Sequence, residues 1–324
     1  MNHLPTISII IPVYNGEKYI SACLHSLKEQ THPPHEIIVV DDGSTDRTPK
    51  LILPPAKIIH TNGRTGAGAA RNLGAKHATG DILLFTDADV VAPSEWVEKT
   101  RHVIKRQNVR CGGGGYCGPV KDSFIQWFAH EELVWRRKNL HGYVDTLVSN
   151  NLFCDRQLFL SIGGFPETYR TASSEDMEFS WLISRNEPLW WESNNGVFHN
   201  FTPTLKDYLK QQKRFAIDAV PLVFNQKKIL TGKTHHPRTF YLEILITGLL
   251  FAGFITTIWI PTILNYNLIP ISIILFLNTG LLTAMKPHDT RFLTNTILLI
   301  FLRNLTIIFC ACIGIYRFIT QREK

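Results

Sequence analysis

Ile7-Ser8-Ile9-Ile10-Ile11-Pro12-Val13 is a run rich in β-branched residues that stops at the turn residues Asn15-Gly16. An apolar run of this length, closed by turn chemistry, predicts a strand buried on both faces. Outward from it the pattern repeats. Residues 17–30 carry apolar Tyr19, Ile20, Cys23, Leu24 and Leu27 at helical spacing. Residues 36–40 predict a second strand ending at Asp41-Asp42-Gly43-Ser44, and residues 56–60 a shorter third. A helix over 68–78 and a fourth strand over 81–86, ending at Asp87, follow. Strands alternating with helices predict an α/β fold, a parallel sheet covered on both faces. Ligands of such sheets bind at the carboxyl ends of the strands, where Asp41, Asp42, Asp87 and Asp89 fall.

Beyond Val90 the pattern is weaker. Gly112–Gly115 reads as a flexible run, 158–165 as a helix end at Gly163-Gly164, and 175–184 as a new helix. An amphipathic stretch from 205 to 215 precedes a basic approach made by Lys227, Lys228, Lys233 and Arg238. Then come 42 consecutive residues, between Glu243 and Lys286, without Asp, Glu, Lys or Arg. One bilayer crossing needs about 20 apolar residues, so the run is long enough for two. The expected spans are 241–263 and 268–285, with the turn at Asn265-Tyr266-Asn267 between Pro261 and Pro270. Basic residues before the first and after the second place both ends in the cytoplasm. A third apolar stretch, 292–316, is interrupted by Arg303-Asn304, and an interfacial or re-entrant element competes there with a third span.

The 324 residues carry 34 Lys and Arg against 27 Asp and Glu, a net charge of +7. Residues 1–238 hold 28 and 24 of these, net +4, and residues 239–324 hold 6 and 3, net +3. No long basic run is present, which disfavours a nucleic-acid partner. The six cysteines form no Cys-x-x-Cys pair, which disfavours a zinc ribbon or disulfide scaffold and fits a reducing compartment. The start, Met1-Asn2-His3-Leu4-Pro5, lacks a charged region followed by an apolar core, so no cleaved leader is expected.

Asp87-Ala88-Asp89 places two carboxylates one residue apart at a strand end. They can approach one divalent cation together with a substrate phosphate, a setting that suits Mg²⁺ or Mn²⁺. Alone, the plainer reading is an acidic turn. Asp42, or Asp41, can accept hydrogen bonds from a ribose or a base N–H, or else cap a helix. Gly66-Ala67-Gly68-Ala69-Ala70-Arg71 lacks a third glycine, so its glycines read as close-packing positions and Arg71 as a nucleotide contact.

Ile9–Asn15, Val40-Asp41-Asp42-Gly43-Ser44-Thr45-Asp46, Ala70-Arg71-Asn72-Leu73-Gly74-Ala75 and Thr86-Asp87-Ala88-Asp89 together closely resemble family-2 glycosyltransferases of the GT-A fold. Gly163-Gly164-Phe165, Ser174-Glu175-Asp176 and Gln211-x-x-Arg214-Phe215 extend the resemblance, which covers about residues 5–215. It implies a Rossmann-like nucleotide-sugar-binding domain, residues 1–238, with an amphipathic interfacial helix at about 204–230. A membrane domain of two or three transmembrane helices, residues 239–324, would follow. It also implies metal-dependent, inverting sugar transfer from a nucleotide sugar, a UDP-sugar first and a GDP-sugar as the alternative. Donor-binding residues would be Pro12, Tyr14, Asp42, Arg71 and Asp87. Asp89, with Asp87 and His199, would hold Mg²⁺ or Mn²⁺. Asp176 would be the general base, with Glu175 the second candidate. Gln211, Arg214 and Phe215 depart from the family's Gln-x-x-Arg-Trp by Phe for Trp, and would bind the acceptor or face lipid headgroups. Asn150-Asn151 and Trp190-Trp191 are further acceptor-pocket candidates, with packing roles the alternative. The expected setting is a multi-pass protein of the inner membrane, its catalytic domain cytoplasmic, using a lipid-linked or saccharide acceptor. A processive polysaccharide synthase and a non-catalytic nucleotide-sugar-binding scaffold are the competing readings.

Overall fold

The computed structural model describes residues 4–169, 174–225, 238–257, 268–285 and 292–322. The chain divides into two compact units, Met1–Val120 with Leu140–Asn200, and Lys121–Asn139 with Phe201–Lys324.

The first unit opens with β1 (Ile7–Val13), α1 (Ile20–Lys28), β2 (Glu36–Asp41), α2 (Thr48–Leu51), β3 (Lys57–His60), α3 (Ala67–His77) and β4 (Ile82–Thr86). It continues with β5 (Val90–Val91), α4 (Trp96–Gln107) and β6 (Cys111–Pro119). The chain then gives α5 (Phe124–Arg137) to the second unit and returns with β7 (Gly142–Val144), β8 (Asn151–Asp155), α6 (Arg156–Ser161), α7 (Glu175–Ser184) and β9 (Leu189–His199). The sheet order is β3-β2-β1-β4-β8-β6-β9-β5, with β7 also on β9.

Every residue of β1, β2 and β4 is buried. Alternation divides β1 between two cores. Ile7, Ile9, Ile11 and Val13 pack with α1 and α4, whereas Ile10 faces Ala70 and Ala75 of α3 and Phe179 of α7. Each such isoleucine contributes about 1.5–3 kcal/mol by leaving water. The four strands read from the N-terminal sequence are parallel, as predicted. Beyond β4 the sheet is mixed, because β8 returns antiparallel with Thr86 opposite Asn151.

The four-glycine run is a strand, not a flexible loop. Gly112, Gly113 and Gly114 lie in β6 between β8 and β9. A Cβ on Gly114 would stand 2.0 Å from the Asn195 carbonyl oxygen, and one on Gly113 would stand 2.3 Å from that of Asn151. Close backbone approach demands the glycines, and it leaves no side-chain periodicity to read.

The second unit adds α8 (Leu205–Asn225), α9 (Arg238–Thr257), α10 (Leu268–Leu277), α11 (Thr279–Met285) and α12 (Phe292–Arg322) to α5. The predicted return span 268–285 is two helices broken at Asn278, whose Nδ2 donates to the Ile274 carbonyl at 3.0 Å. Residues 226–230 of the expected interfacial helix, with Lys227, Lys228 and Lys233, lie outside the described residues, as do 258–263 of the first expected span. Thr239–Thr257 and Thr294–Thr320 are long and apolar enough to cross a membrane.

Arg303-Asn304 does not interrupt α12. Arg303 is buried and donates to Glu132 of α5 and Glu243 of α9. Asn304 Nδ2 donates to Glu243 at 2.9 Å and to Thr247 at 3.0 Å, and Tyr208 of α8 donates to Glu132 at 2.6 Å. A buried charge persists when paired and hydrogen-bonded, and here one cluster joins four helices.

Two outcomes test these packing arguments. Gly114→Ala is expected to destabilise by about 3 kcal/mol or prevent folding, because the obstacle is backbone oxygen. Gly115→Ala, whose Cβ first meets a Trp191 side-chain atom at 3.2 Å, should cost less; thermal unfolding compares them. Arg303→Met removes the guanidinium that two buried carboxylates share, with an expected loss of about 3–5 kcal/mol. A melting temperature equal to that of the parent protein would refute the pairing role of Arg303.

Candidate active site

β4 ends at Thr86 and releases Asp87-Ala88-Asp89 into a turn closed by the Val90 amide donating to the Asp87 carbonyl at 3.1 Å. Ala88 turns into the core while both carboxylates keep contact with water, at 29% and 35% side-chain exposure. Antiparallel pairing of β5 with β9 sets Val90 opposite His199. That register brings His199 Nε2 to 3.4 Å from Asp89 Oδ1.

Arg71 comes from α3. Gly66, at φ +103°, turns the chain into the helix, and Gly68 lets it pass close to Pro166, whose carbonyl oxygen a Cβ would meet at 2.7 Å. The Arg71 side chain is buried over the Phe165 ring, 5.4 Å from its centroid. Its Nη2 lies 2.6 Å from Asp87 Oδ1 and its Nη1 lies 3.2 Å from Glu175 Oε1. Neighbouring Asn72 fixes the loop below, donating to the Phe165 carbonyl at 2.9 Å and accepting the Phe165 amide at 2.8 Å.

Glu175 and Asp176 open α7, where the positive end of the helix dipole favours carboxylates. Even so, burial and then the charge of Glu175 push the Asp176 carboxyl up to about 7, against the opposing pull of Arg71. The Met177 amide donates to Asp176 Oδ1 at 2.8 Å. Burial also raises Asp87, which Arg71 opposes and Asp89 reinforces. For Asp89 burial acts upward too, but the His199 imidazole outweighs it and holds this carboxyl below its ordinary value. One buried arginine thus faces carboxylates from two elements, and a base candidate sits beside it with a proton affinity matched to neutral pH.

Asp42 is buried and fully engaged. Its carboxylate accepts from Thr61 Oγ1 at 3.0 Å, the Thr65 amide and hydroxyl at 2.7 Å each, and the Gly66 amide at 2.8 Å. Asp41 accepts from the Ser44 amide at 3.2 Å and faces His60 Nδ1 at 3.1 Å. The pair therefore fixes the loop before α3. Thr61 and Thr65 also line a cavity of about 310 Å³ with His60, Asn62, Ala69, Leu73, Lys76 and Glu167. Pro12 is buried in β1, and exposed Tyr14 lies 4.2 Å beneath the Arg64 guanidinium. Nothing local in the sequence flags Arg64; only the loop that Asp42 holds brings it there.

Among the described residues no three His, Cys, Asp or Glu side chains converge on a common metal point. Asp89 and His199 do converge, with Asp87 beside them. Two protein ligands suit a hard cation that takes its remaining oxygens from a diphosphate, so the donor set fits Mg²⁺ or Mn²⁺. Gln211, Arg214 and Phe215 lie on α8 in the second unit, with the Arg214 guanidinium 5.5 Å from the Phe215 ring centroid. Asn151 and Trp191 have packing roles. Asn151 accepts from Trp96 Nε1 at 2.9 Å and donates to the Asn195 carbonyl at 2.6 Å, and Trp191 is in the core.

The sequence matches glycosyl transferase family 2 over residues 8–155, and glycosyl transferase family group 2 over residues 82–286, more than half the chain. The chain belongs to glycosyl transferase family 2. Among family members it is 31% identical over 180 residues to glycosyltransferase AglE of Haloferax volcanii, which covers 50% of this chain and 57% of that protein. It is 40% identical over 100 residues to the putative glycosyltransferase EpsH of Bacillus subtilis, 29% of this chain and 27% of that one. The chain thus spans little more than half of the first relative and about a quarter of the second. The glycosyltransferase fold is shared with mannosyltransferase PcManGT from Pyrobaculum calidifontis, solved with GDP-Man and Mn²⁺. The TM-score there is 0.55 at 18% identity, covering 94% of this chain and 88% of that one. Residues 1–349 of S. aureus TarS give a TM-score of 0.50 at 23% identity, covering 66% and 65%. Both are GT-A folds.

Asp42→Asn replaces an acceptor with a donor facing amides already committed to it. Trypsin cleavage after Arg64 is expected to accelerate and the melting temperature to fall, since each bond to a charged acceptor is worth about 1.5–3 kcal/mol. Unchanged cleavage kinetics would show that the carboxylate does not hold this loop.

Proposed function

We propose that this chain transfers a sugar from a nucleotide-sugar donor, UDP-linked first and GDP-linked second, with inversion at the anomeric carbon. The observation that carries the reading is the convergence of Asp87, Arg71, Glu175 and Asp176 at the carboxyl edge of the sheet, with Asp176 poised near neutral pH.

Asp176 takes the proton of the attacking acceptor hydroxyl as the new glycosidic bond forms. The donor lies where β1, β2 and β4 end, against Tyr14, the loop gripped by Asp42, and Asp87. Asp89 and His199, with Asp87, would hold the cation. When bound, a Mg²⁺ or Mn²⁺ ion supplies Lewis-acid stabilisation of the departing diphosphate. The PcManGT complex, a protein of this fold with GDP-Man and Mn²⁺, is consistent with that reading.

The catalytic region is assigned to residues 1–238 and a membrane region to 239–324, with Gln211, Arg214 and Phe215 serving the acceptor. The two apolar helical stretches and the flanking basic residues favour a multi-pass protein of the inner membrane. The catalytic region then stands on the cytoplasmic side, and the acceptor is lipid-linked, for polysaccharide or glycolipid synthesis.

Activity at saturating donor is expected to rise with pH and level off above about 7, as Asp176 ionises. Asp176→Asn should lower kcat by about 10²–10⁴-fold. Because the folded-state pKa lies above the unfolded value, the group costs stability progressively as pH rises from about 4 to about 7. Asp176→Asn should therefore gain more melting temperature at pH 8 than at pH 5. A variant with full activity, or the same gain at both pH values, would remove Asp176 from the base role.

A further inference from the structure

We propose that Arg71 is a positioning residue that holds the donor-side carboxylate Asp87 and the base pair Glu175-Asp176 as one ion-paired unit. This deepens the function proposed above and rests on it.

The geometry is specific. Arg71 sits in α3 and shares its guanidinium between a strand-end residue and a helix-start residue. It is buried, and its Nε finds no hydrogen-bond partner. The side chain thus gives up one buried donor, a costly arrangement, while keeping two nitrogens on two carboxylates. A contact meant chiefly for a bound nucleotide would leave the guanidinium open toward the donor; here both ends are engaged by the protein itself. The planar fork can do this, whereas the single ammonium of lysine cannot span the two carboxylates.

Glu175 on its own helix and Arg71 on α3 act on Asp176 through their charges, and the Met177 and Ser149 amides also donate to it. Glu175 raises the proton affinity of Asp176 and Arg71 lowers it. Removing either should move the base in opposite directions, whereas a purely structural arginine predicts no such opposition.

The test uses the full chain in membranes, with nucleoside diphosphate release as the readout. The pH dependence of kcat/KM would be compared for the parent protein, Arg71→Gln and Glu175→Gln. In Arg71→Gln the acid limb should move up by at least half a pH unit. Its kcat should fall at least tenfold while the donor KM changes less than threefold. In Glu175→Gln the acid limb should move down. The pH dependence of the melting temperature, measured on purified protein without donor, should shift in the same two directions. A rise in donor KM with an unmoved acid limb would make Arg71 a nucleotide contact and overturn the proposal. Limbs that move together, or only a uniform loss of melting temperature, would overturn it as well. Absence of activity in the parent protein would count against the proposed function itself, and the melting curves would still decide the role of Arg71.

Discussion

The site depends on one buried guanidinium. Stripping Arg71 of water costs several kcal/mol unless its charge is met, and the two carboxylates that meet it come from different parts of the chain. Asp87 arrives at the end of β4 and Glu175 at the start of α7, 16 and 104 residues away in sequence. Neither can relocate without leaving a buried charge uncompensated. The loop of Gly163-Gly164-Phe165 is fixed against the same helix, so the whole edge is rigid where chemistry would take place. Burial and the like charge of Glu175 set Asp176 near neutrality against the pull of Arg71, while His199 holds Asp89 low.

The sheet supplies the rest of the constraint. β1, β2 and β4 point their carboxyl ends one way because they are parallel, and β9 returns to pair with β5 so that His199 meets Asp89. The glycines of β6 make that return possible by letting β8 and β9 approach its backbone. Loss of side chains at three positions is thus tied directly to the geometry of Asp89 and His199.

Much of this was legible. Runs such as Ile7–Val13 and the helical spacing of Tyr19, Ile20, Cys23, Leu24 and Leu27 carry their own signal, because burial on two faces or on one stripe leaves a pattern in the residue types. The strand-end aspartates and the Glu-Asp pair were legible through their order along the chain and their resemblance to the family. What could not be read is non-local. Gly112–Gly115 looks flexible until the neighbouring strands are known. Arg303 looks like a break in an apolar helix because its partners Glu132 and Glu243 lie 171 and 60 residues away. The expected return span 268–285 carries no charged residue, yet Asn278 turns its side chain onto the Ile274 carbonyl at the break. Asp42 shows as a strand-end carboxylate, but its commitment to the loop at Thr61–Gly66 follows from tertiary structure alone.

The most direct measurement is nucleoside diphosphate release from a panel of nucleotide sugars by membranes carrying this protein or Asp89→Ala, with Mn²⁺ or Mg²⁺ and with EDTA. Sugar transfer at this site requires release from one donor that depends both on Asp89 and on the divalent ion. Release from no donor, with polyprenyl phosphate acceptors present, would contradict transfer and leave Asp87-Ala88-Asp89 as part of a binding site without chemistry.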